Sequence, residues 1–400
     1  MAHPDNNPSY AQIPVSQYSD PAFFEREKDA VWRASWLLVG RLSDIPNAGD
    51  YFLFSLRALN TSIIVIRGKD KKPRAFHNAC LHHGARLQYD CVGSCKQLRC
   101  SFHGWTYDLQ GKLIGVPLGK HFPSLDTDAM HLNAVSLDTW GGFIFVCLDA
   151  EPEQTLADFL QPLPTALADY LANEDWQWFA GYNGRFNANW KIFLDNQCEG
   201  HHAAFLHRTT IGAPFTPADY PTDIFPDSPS IMAKIVVSRP RTADGKPPPQ
   251  TDLARLAANY SKSGMWTEKD TSQAAARYPG AINASQSNRW VFDLYVVFPN
   301  LVFLFEDDQI VVQRVWPLSP NETYWEMDHY FVGPPKDFGE LFNRELSVLQ
   351  QMDTISQDTM VCEGIHSNCA SGAIDTVHLS DLEAGVAVFQ NKVIAMTGKN

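Results

Sequence analysis

The chain lacks any apolar run long enough to cross a bilayer. Its longest, Tyr295–Phe305, is interrupted by Pro299 and Asn300, whereas a membrane helix needs about 20 residues. It lacks an excess of positive charge: 32 Lys and Arg stand against 45 Asp and Glu, a formal net charge of −13 with a pI near 5.4. That balance argues against nucleic acid or an anionic membrane as a partner. The first residues, Met1–Ser9, are polar and carry Asp5, so no signal peptide is expected there. Cysteine is sparse, with 8 in 400 residues, which excludes a disulfide scaffold and leaves thiols free in a reducing compartment. No internal repeat or low-complexity tract is visible. These absences predict a soluble, cytoplasmic protein.

Core material is ample. Hydrophobic residues make up 44% and charged residues 19%, with 11 Trp and 24 Phe, enough to line large apolar pockets. The length suits two domains. Pro21–Ser35 reads as a helix capped by Asp20 with Pro21 at its first position. From Trp36 to about Leu148, short β-rich runs (Tyr51–Ser55, Ser62–Arg67, Gly142–Leu148) alternate with Gly, Pro, Asn and Asp breaks, the texture of a small antiparallel β domain. Glu153–Ala172 and Asn189–His207 have helical character. Pro214–Pro249, with Pro at 247–249, reads as loop. Arg289–Phe305, Gln309–Trp316 and Thr323–Phe331 read as strands, and Phe338–Cys362 and Asp381–Thr397 as helices. Strands followed by a long helix predict an α+β domain with an antiparallel sheet wrapped on that helix.

Two short segments carry chemistry within the β-rich part: Cys80-Leu81-His82 and Cys100-Ser101-Phe102-His103. Each offers one thiolate and one imidazole, and Gly84 and Gly104 permit the tight turns such a cradle needs. Two Cys and two His in this order suit a Rieske [2Fe–2S] centre, where two His replace two Cys on one iron. Structural zinc also takes two Cys and two His. Zinc fingers, however, pair Cys with Cys and His with His, whereas each knuckle here is mixed. Mixing is natural if both thiolates face one iron and both imidazoles the other. Cys91 and Cys95 fit neither knuckle and, with Cys147, Cys198, Cys362 and Cys369, read as bystander thiols.

A second constellation lies in Asn189–His207, where His201, His202 and His207 sit beside Asp195, Asn196 and Glu199 in an otherwise apolar segment. Burying that many polar groups is costly without a purpose. Non-heme Fe(II) oxygenases use two His and one carboxylate on one face of the iron. His202 and His207 supply a pair, with His201 as a competitor. A five-residue step is about 140° out of phase on an ideal helix, so the helix must end or distort between them. Glu199 lies three residues before His202, on the same helical face. The carboxylate must come from far along the chain, with Asp353 and Asp358 as candidates.

The segments Asn78–Ala85 and Cys100–Asp108 resemble the Rieske loops of the α subunits of the Rieske non-heme iron oxygenase family. Asn189–His207 resembles that family's Asn-Trp-Lys…Glu-x-Tyr-His-x₄-His motif, and Gln357–Glu363 its Glu-Asp-x₃-Cys-Glu pattern. The likeness runs from about Trp36 to Phe389 and is weakest over Pro214–Asn288, where a substrate lid or pocket rim is expected. Four positions depart from the pattern: His83 replaces Arg, His201 replaces Tyr, Gln357 replaces Glu, and Glu199 stands where ring dioxygenases commonly have Asp.

The resemblance implies a division into an N-terminal segment, 1–37, packing on the catalytic domain, a Rieske domain, 38–150, and a catalytic domain, 151–400, of helix-grip, START-like form. Cys80, His82, Cys100 and His103 would hold the [2Fe–2S] cluster; His202, His207 and Asp358 would hold mononuclear Fe(II), leaving Asp353 and Glu363 as ordinary helix-surface charges. Glu199 would be the electron-transfer bridge, joining His103 of one subunit to His202 of the next in a homotrimer. No nicotinamide or flavin fingerprint is present, so NAD(P)H would act through a separate reductase, with or without a ferredoxin. The implied activity is that of a terminal oxygenase that uses O₂ to hydroxylate or oxidatively demethylate a small organic substrate. Glu199 resembles the members that oxidise choline and carnitine. Ring cis-dihydroxylation is the second reading. A Rieske electron carrier without mononuclear iron is the alternative of another class.

Overall fold

The computed structural model describes residues 12–172, 175–211, 215–241, 252–260 and 271–398. The polar N-terminus, Pro214 and the prolines at 247–249 lie outside these residues. The chain forms two compact units, one of residues 28–158 and one of residues up to Glu27 together with Phe159 onward. Residues 28–37 and 151–158 therefore fall with the smaller unit. Trp36 donates its indole N–H to Gln154 O at 3.0 Å, and Asp149 N donates to Arg33 O at 3.0 Å, so both flanks pack on the β unit.

The smaller unit is antiparallel β throughout. Its strands Leu37–Arg41, Phe143–Cys147, Ala134–Trp140, Pro73–His77, Thr61–Arg67, Asp50–Leu56 and Val92–Ser94 neighbour one another in that order. A second sheet of three short strands, Leu98–Arg99, Thr106–Tyr107 and Leu113–Gly115, lies in the same unit. Ile64, Ile66 and Phe76 of the first sheet share one core with Leu98, Trp105, Tyr107 and Leu113 of the second, and with the thiols Cys80 and Cys100. The β-branched run at 63–66 is fully buried, as expected of a strand in the middle of such a core.

The larger unit holds a seven-stranded antiparallel sheet in the order Trp176–Phe186, Glu322–Val332, Gln309–Ser319, Leu301–Phe305, Trp290–Val297, Ile231–Ser238 and Thr222–Ile224. The helix Phe338–Ala370 packs against it and runs eight residues past the expected end at Cys362. Asp337 caps its start, accepting from Glu340 N at 2.8 Å. Arg344 donates to Gly333 O at 2.8 Å and Val332 O at 3.1 Å, and Ser347 to Gln309 Oε1 at 3.2 Å, fixing the helix to the sheet. Strand Gln12–Pro14 pairs with Thr376–His378, and Lys191 and Glu27, both fully buried, form an ion pair at 2.5 Å. These contacts tie the N-terminal residues into the larger unit.

Four elements differ from expectation. Ile231–Ser238 is a strand inside the stretch read as loop; its β-branched residues were masked by flanking prolines. Trp176–Phe186 is an unforeseen edge strand, because Gly181 and Gly184 dilute its alternation. Arg289–Phe305 is two strands, since Phe298-Pro299-Asn300 makes the turn between them. Pro21–Ser35 is an α-helix only to Glu27 and continues as a wider π-type turn to Arg33.

Candidate metal sites and catalytic pocket

The two Cys-His segments are built alike. Cys80 N donates to Ala85 O, and Gly84 N to Cys80 O, both at 2.8 Å. Cys100 N donates to Trp105 O at 2.8 Å, and Gly104 N to Cys100 O at 3.0 Å. Both glycines have φ of +73°, a conformation costly for residues with a Cβ. The thiols of Cys80 and Cys100 are buried, whereas His82 is half-buried and His103 exposed. Sulfur thus lies inside and imidazole outside, the segregation that a cluster with one iron on each side requires.

The imidazoles are held by neighbours. The His82 ring stacks on Trp105 at 4.8 Å and lies 4.7 Å from the His103 ring. His82 Nδ1 is buried and no hydrogen-bond partner reaches it among the described residues, as befits a ligand atom. Burial pushes the Cys80 thiol up, so a thiolate there depends on metal coordination. Tyr107 Oη lies 3.4 Å from Cys80 Sγ and accepts from Leu81 N at 3.0 Å. Burial, then the Cys80 sulfur, push the Tyr107 hydroxyl up, so it stays protonated and donates toward sulfur, an arrangement that tunes a cluster's potential. His83 is exposed, its ring 4.0 Å from His82.

The second site forms where the Trp190–Gln197 helix breaks. Asn189 Oδ1 caps its start from Lys191 N at 3.1 Å, and it ends at Cys198. The chain turns through Glu199–His202 before one short helix, Ala203–Leu206. His202 and His207 therefore flank a single turn, which brings their rings to 5.1 Å despite the unfavourable five-residue step. Glu199 Oε2 accepts from His201 N and His202 N and so closes the turn.

Asp358, 151 residues beyond His207 in sequence, completes the group from the long helix. Its Oδ1 lies 3.0 Å from His207 Nε2 and 3.6 Å from His202 Nε2. The opposite ring atoms are occupied: His202 Nδ1 meets Glu199 Oε1 at 2.5 Å, and His207 Nδ1 meets Gln357 Oε1 at 2.8 Å. A carboxylate or amide oxygen only accepts, so each Nδ1 carries the proton and each Nε2 presents a lone pair. The three candidate ligand atoms lie within 4.8 Å of one another, and among the described residues buried Asp358 Oδ1 has no hydrogen-bond partner. Convergent lone pairs repel unless a cation lies among them, so these residues fit a two-His, one-carboxylate metal site. Burial lowers the His202 imidazole, but the hydrogen bond and charge of Glu199, with the charge of Asp358, outweigh it and raise it.

A cavity opens at this site, walled by Phe215, Ile235, Val237, Phe292, Leu294 and Leu304 and by the polar Gln313, Gln351 and Thr354. Its wall draws Phe215, Tyr220, Ile235 and Val237 from the stretch where a pocket rim was expected.

Residues 35–126 match the Rieske [2Fe-2S] domain, and residues 172–399 match the ring hydroxylating alpha subunit (catalytic domain). The chain belongs to the ring-hydroxylating alpha subunits. It is thereby a Rieske non-heme iron oxygenase, a family whose members carry the [2Fe–2S] cluster and mononuclear iron. It is 28% identical to the 2-aminobenzenesulfonate 2,3-dioxygenase subunit alpha of Alcaligenes sp. over 80% of this chain and 74% of that one. It is 35% identical to the glycine betaine monooxygenase oxygenase subunit of Chromohalobacter salexigens over 49% of this chain and 43% of that one, so that match spans less than half the relative's length. The solved structure of a quaternary ammonium Rieske monooxygenase shares the fold, with a TM-score of 0.75 at 19% identity, covering 96% of this chain and 95% of that one. Among the described residues, no helix is long and apolar enough to cross a membrane.

Within this ring-hydroxylating alpha subunit, the expected ligand residues form two groups. Asp353 is exposed while Asp358 is buried, as five helical residues place them on different faces. His201 is exposed, outside the metal group, with Nδ1 3.5 Å from Tyr220 Oη. Glu363 is more than the surface charge expected: it accepts from Asn187 N at 2.7 Å and Asn187 Nδ2 at 3.2 Å, anchoring the chain just before the Trp190–Gln197 helix. Gln357, a departure from pattern in the sequence, reaches His207 Nδ1 because it stands beside Asp358. Tyr107 and the polar cavity residues carry no signal in the sequence, since only folding brings them to their sites.

Proposed function

We propose that His202, His207 and Asp358 hold Fe(II), that Cys80, His82, Cys100 and His103 hold the cluster, and that Glu199 links the two systems. The observation that carries this reading is the convergence of two Nε2 lone pairs and one carboxylate oxygen, each His held from behind through Nδ1. When bound, the cluster supplies electrons singly and Fe(II) supplies the place where dioxygen is reduced. The protein's part is positioning. Glu199 holds the His202 Nδ1 proton while its second oxygen is pinned by two backbone N–H groups, so the carboxylate cannot swing away. Gln357 orients His207 without adding charge. Phe215, Ile235, Val237, Phe292, Leu294 and Leu304 give the cavity an apolar wall beside the reacting centre.

The reaction assigned is hydroxylation or oxidative demethylation of a small organic substrate. Cis-dihydroxylation of an aromatic ring is the second reading, supported by the likeness to an aromatic sulfonate dioxygenase over most of both chains. The protein is cytoplasmic; a separate reductase, directly or through a ferredoxin, supplies electrons from NAD(P)H, and the subunits assemble as a homotrimer in which Glu199 faces His103 of the next copy.

Glu199→Gln tests the bridge. Both metal centres should load normally, by iron analysis and by EPR of the reduced cluster, while product formation stops. Full activity in that variant would sink the bridging role. About three irons per chain are expected, against about two for an electron carrier without the mononuclear site.

A further inference from the structure

The cavity wall says what kind of substrate this oxygenase takes. Among the described residues, the charged groups on that wall are Glu199, Asp358 and the imidazoles His202 and His207. Glu199 is committed to His202 Nδ1 and two backbone N–H groups, and Asp358 Oδ1 converges with the two Nε2 atoms on the metal position. A bound Fe(II) balances these two negative charges. Nothing on the described wall is left to neutralise a cation, and no Lys or Arg there would meet a carboxylate or sulfonate. A buried, uncompensated charge is strongly disfavoured. Among the described wall residues, Phe215 and Tyr220 stack on each other at 5.3 Å and 21° rather than facing a common point, as a cation cage requires.

One end of the cavity is polar yet uncharged. Thr354 and Gln351 stand one and two helical turns before Asp358 on the buried face of the long helix, so they lie about 6 and 10 Å from it along the axis. Gln313 faces them from the central strand Gln309–Ser319. Its Oε1 accepts from Trp325 Nε1 at 3.5 Å, which leaves the amide hydrogens as what it can offer the cavity. Thr354 donates its hydroxyl hydrogen to Gln350 O at 2.9 Å, which leaves oxygen lone pairs to accept. Donor and acceptor thus face a chamber whose other uncharged polar residues are Asn196, Gln197 and Tyr220, with Gln197 Nε2 3.5 Å from Asp358 Oδ2 beside the metal group.

Resting on the oxygenase reading above, we propose that the substrate is an uncharged molecule with an apolar body and one neutral hydrogen-bonding group, a carbonyl or carboxamide, seated on Gln313 and Thr354 while the far end of the body meets the metal. This separates the chain from relatives named for quaternary ammonium and sulfonate compounds.

The test is anaerobic calorimetry on the iron-loaded protein with analogues matched in shape. Acetophenone should bind about three- to tenfold more tightly than α-methylstyrene, which replaces the carbonyl oxygen with a methylene group. Benzamide should exceed benzoate, and tert-butylbenzene should exceed the trimethylanilinium cation, each by at least about tenfold. Gln313→Leu should erase the acetophenone advantage and keep α-methylstyrene affinity. Thr354→Val should weaken benzamide and spare acetophenone, so the two variants report on donor and acceptor separately. Equal binding of acetophenone and α-methylstyrene, or of charged and neutral partners, overturns the proposal. If that occurs with about three irons per chain, only the substrate class falls; with about two, the oxygenase reading falls too.

Discussion

The two metal sites solve the same problem by opposite means. In the smaller unit, the four proposed ligands come from 24 consecutive residues, Cys80 to His103, on two turns closed by matching backbone hydrogen bonds. In the larger unit, two proposed ligands flank a break in a helix and the third arrives from another helix 151 residues later. The first group is arranged by its backbone; in the second, Glu199 and Gln357 hold the two imidazoles from behind. Local sites depend on backbone conformation, and long-range sites depend on second partners.

The largest break in this contrast is Asp358→Ala. It should remove the mononuclear iron, lowering total iron from about three to about two per chain, and abolish turnover. The cluster's EPR signal should persist, because its ligands belong to a unit built from other residues. Metal analysis with EPR reads both results, and loss of both centres would show that the sites are not independent.

Next come the two turn glycines. At φ of +73° an alanine costs roughly 1–2 kcal/mol in backbone strain. A Cβ at Gly84 would meet nothing within 4 Å, whereas one at Gly104 would meet Pro117 Cγ at 3.0 Å. Gly104→Ala should therefore lower thermal stability and cluster retention more than Gly84→Ala. Equal losses would mean that backbone strain alone governs both turns.

Gln357→Glu sharpens the other half. A carboxylate on His207 Nδ1 makes the imidazole a stronger base, and iron affinity should rise by up to about tenfold in a chelator competition. An unchanged affinity would show that orientation, which the amide already provides, is all that this partner contributes.

A separate test concerns pH. Burial raises the Asp195 carboxyl to about 7, against the lowering effect of hydrogen bonds from Tyr18 and Gln390 and the charge of Lys191. The folded state thus keeps a proton that the unfolded chain loses near 4. Stability should fall as pH rises between about 4 and 7. Asp195→Asn should flatten that slope in denaturant melts, and an unchanged slope would place the titration elsewhere.

The chain's local features were legible in advance. The Cys-His knuckles, their glycines and the strand texture around them depend on neighbours close in sequence. The same holds for the helix break that the His202–His207 spacing demands, and for the long helix carrying Asp358. What escaped was non-local. Ile231–Ser238 became a strand because sheet partners on both sides outweighed the prolines around it. Trp176–Phe186, with Gly181 and Gly184 in it, became a strand through pairing with Glu322–Val332.

By itself, then, the sequence determined the chemistry available: which side chains offer thiolate, imidazole and carboxylate, and at what spacing. Only the tertiary structure decided which of them meet. Asp358 rather than Asp353 reaches the imidazoles because it sits on the buried face of its helix. Gln357 becomes a partner of His207, and Glu363 an anchor for Asn187, because the helix passes that turn at close range. Gln313 and Thr354 share a cavity because sheet and helix pack face to face. Spacing along the chain encodes a turn of backbone, but the meeting of distant groups depends on the packing of whole elements.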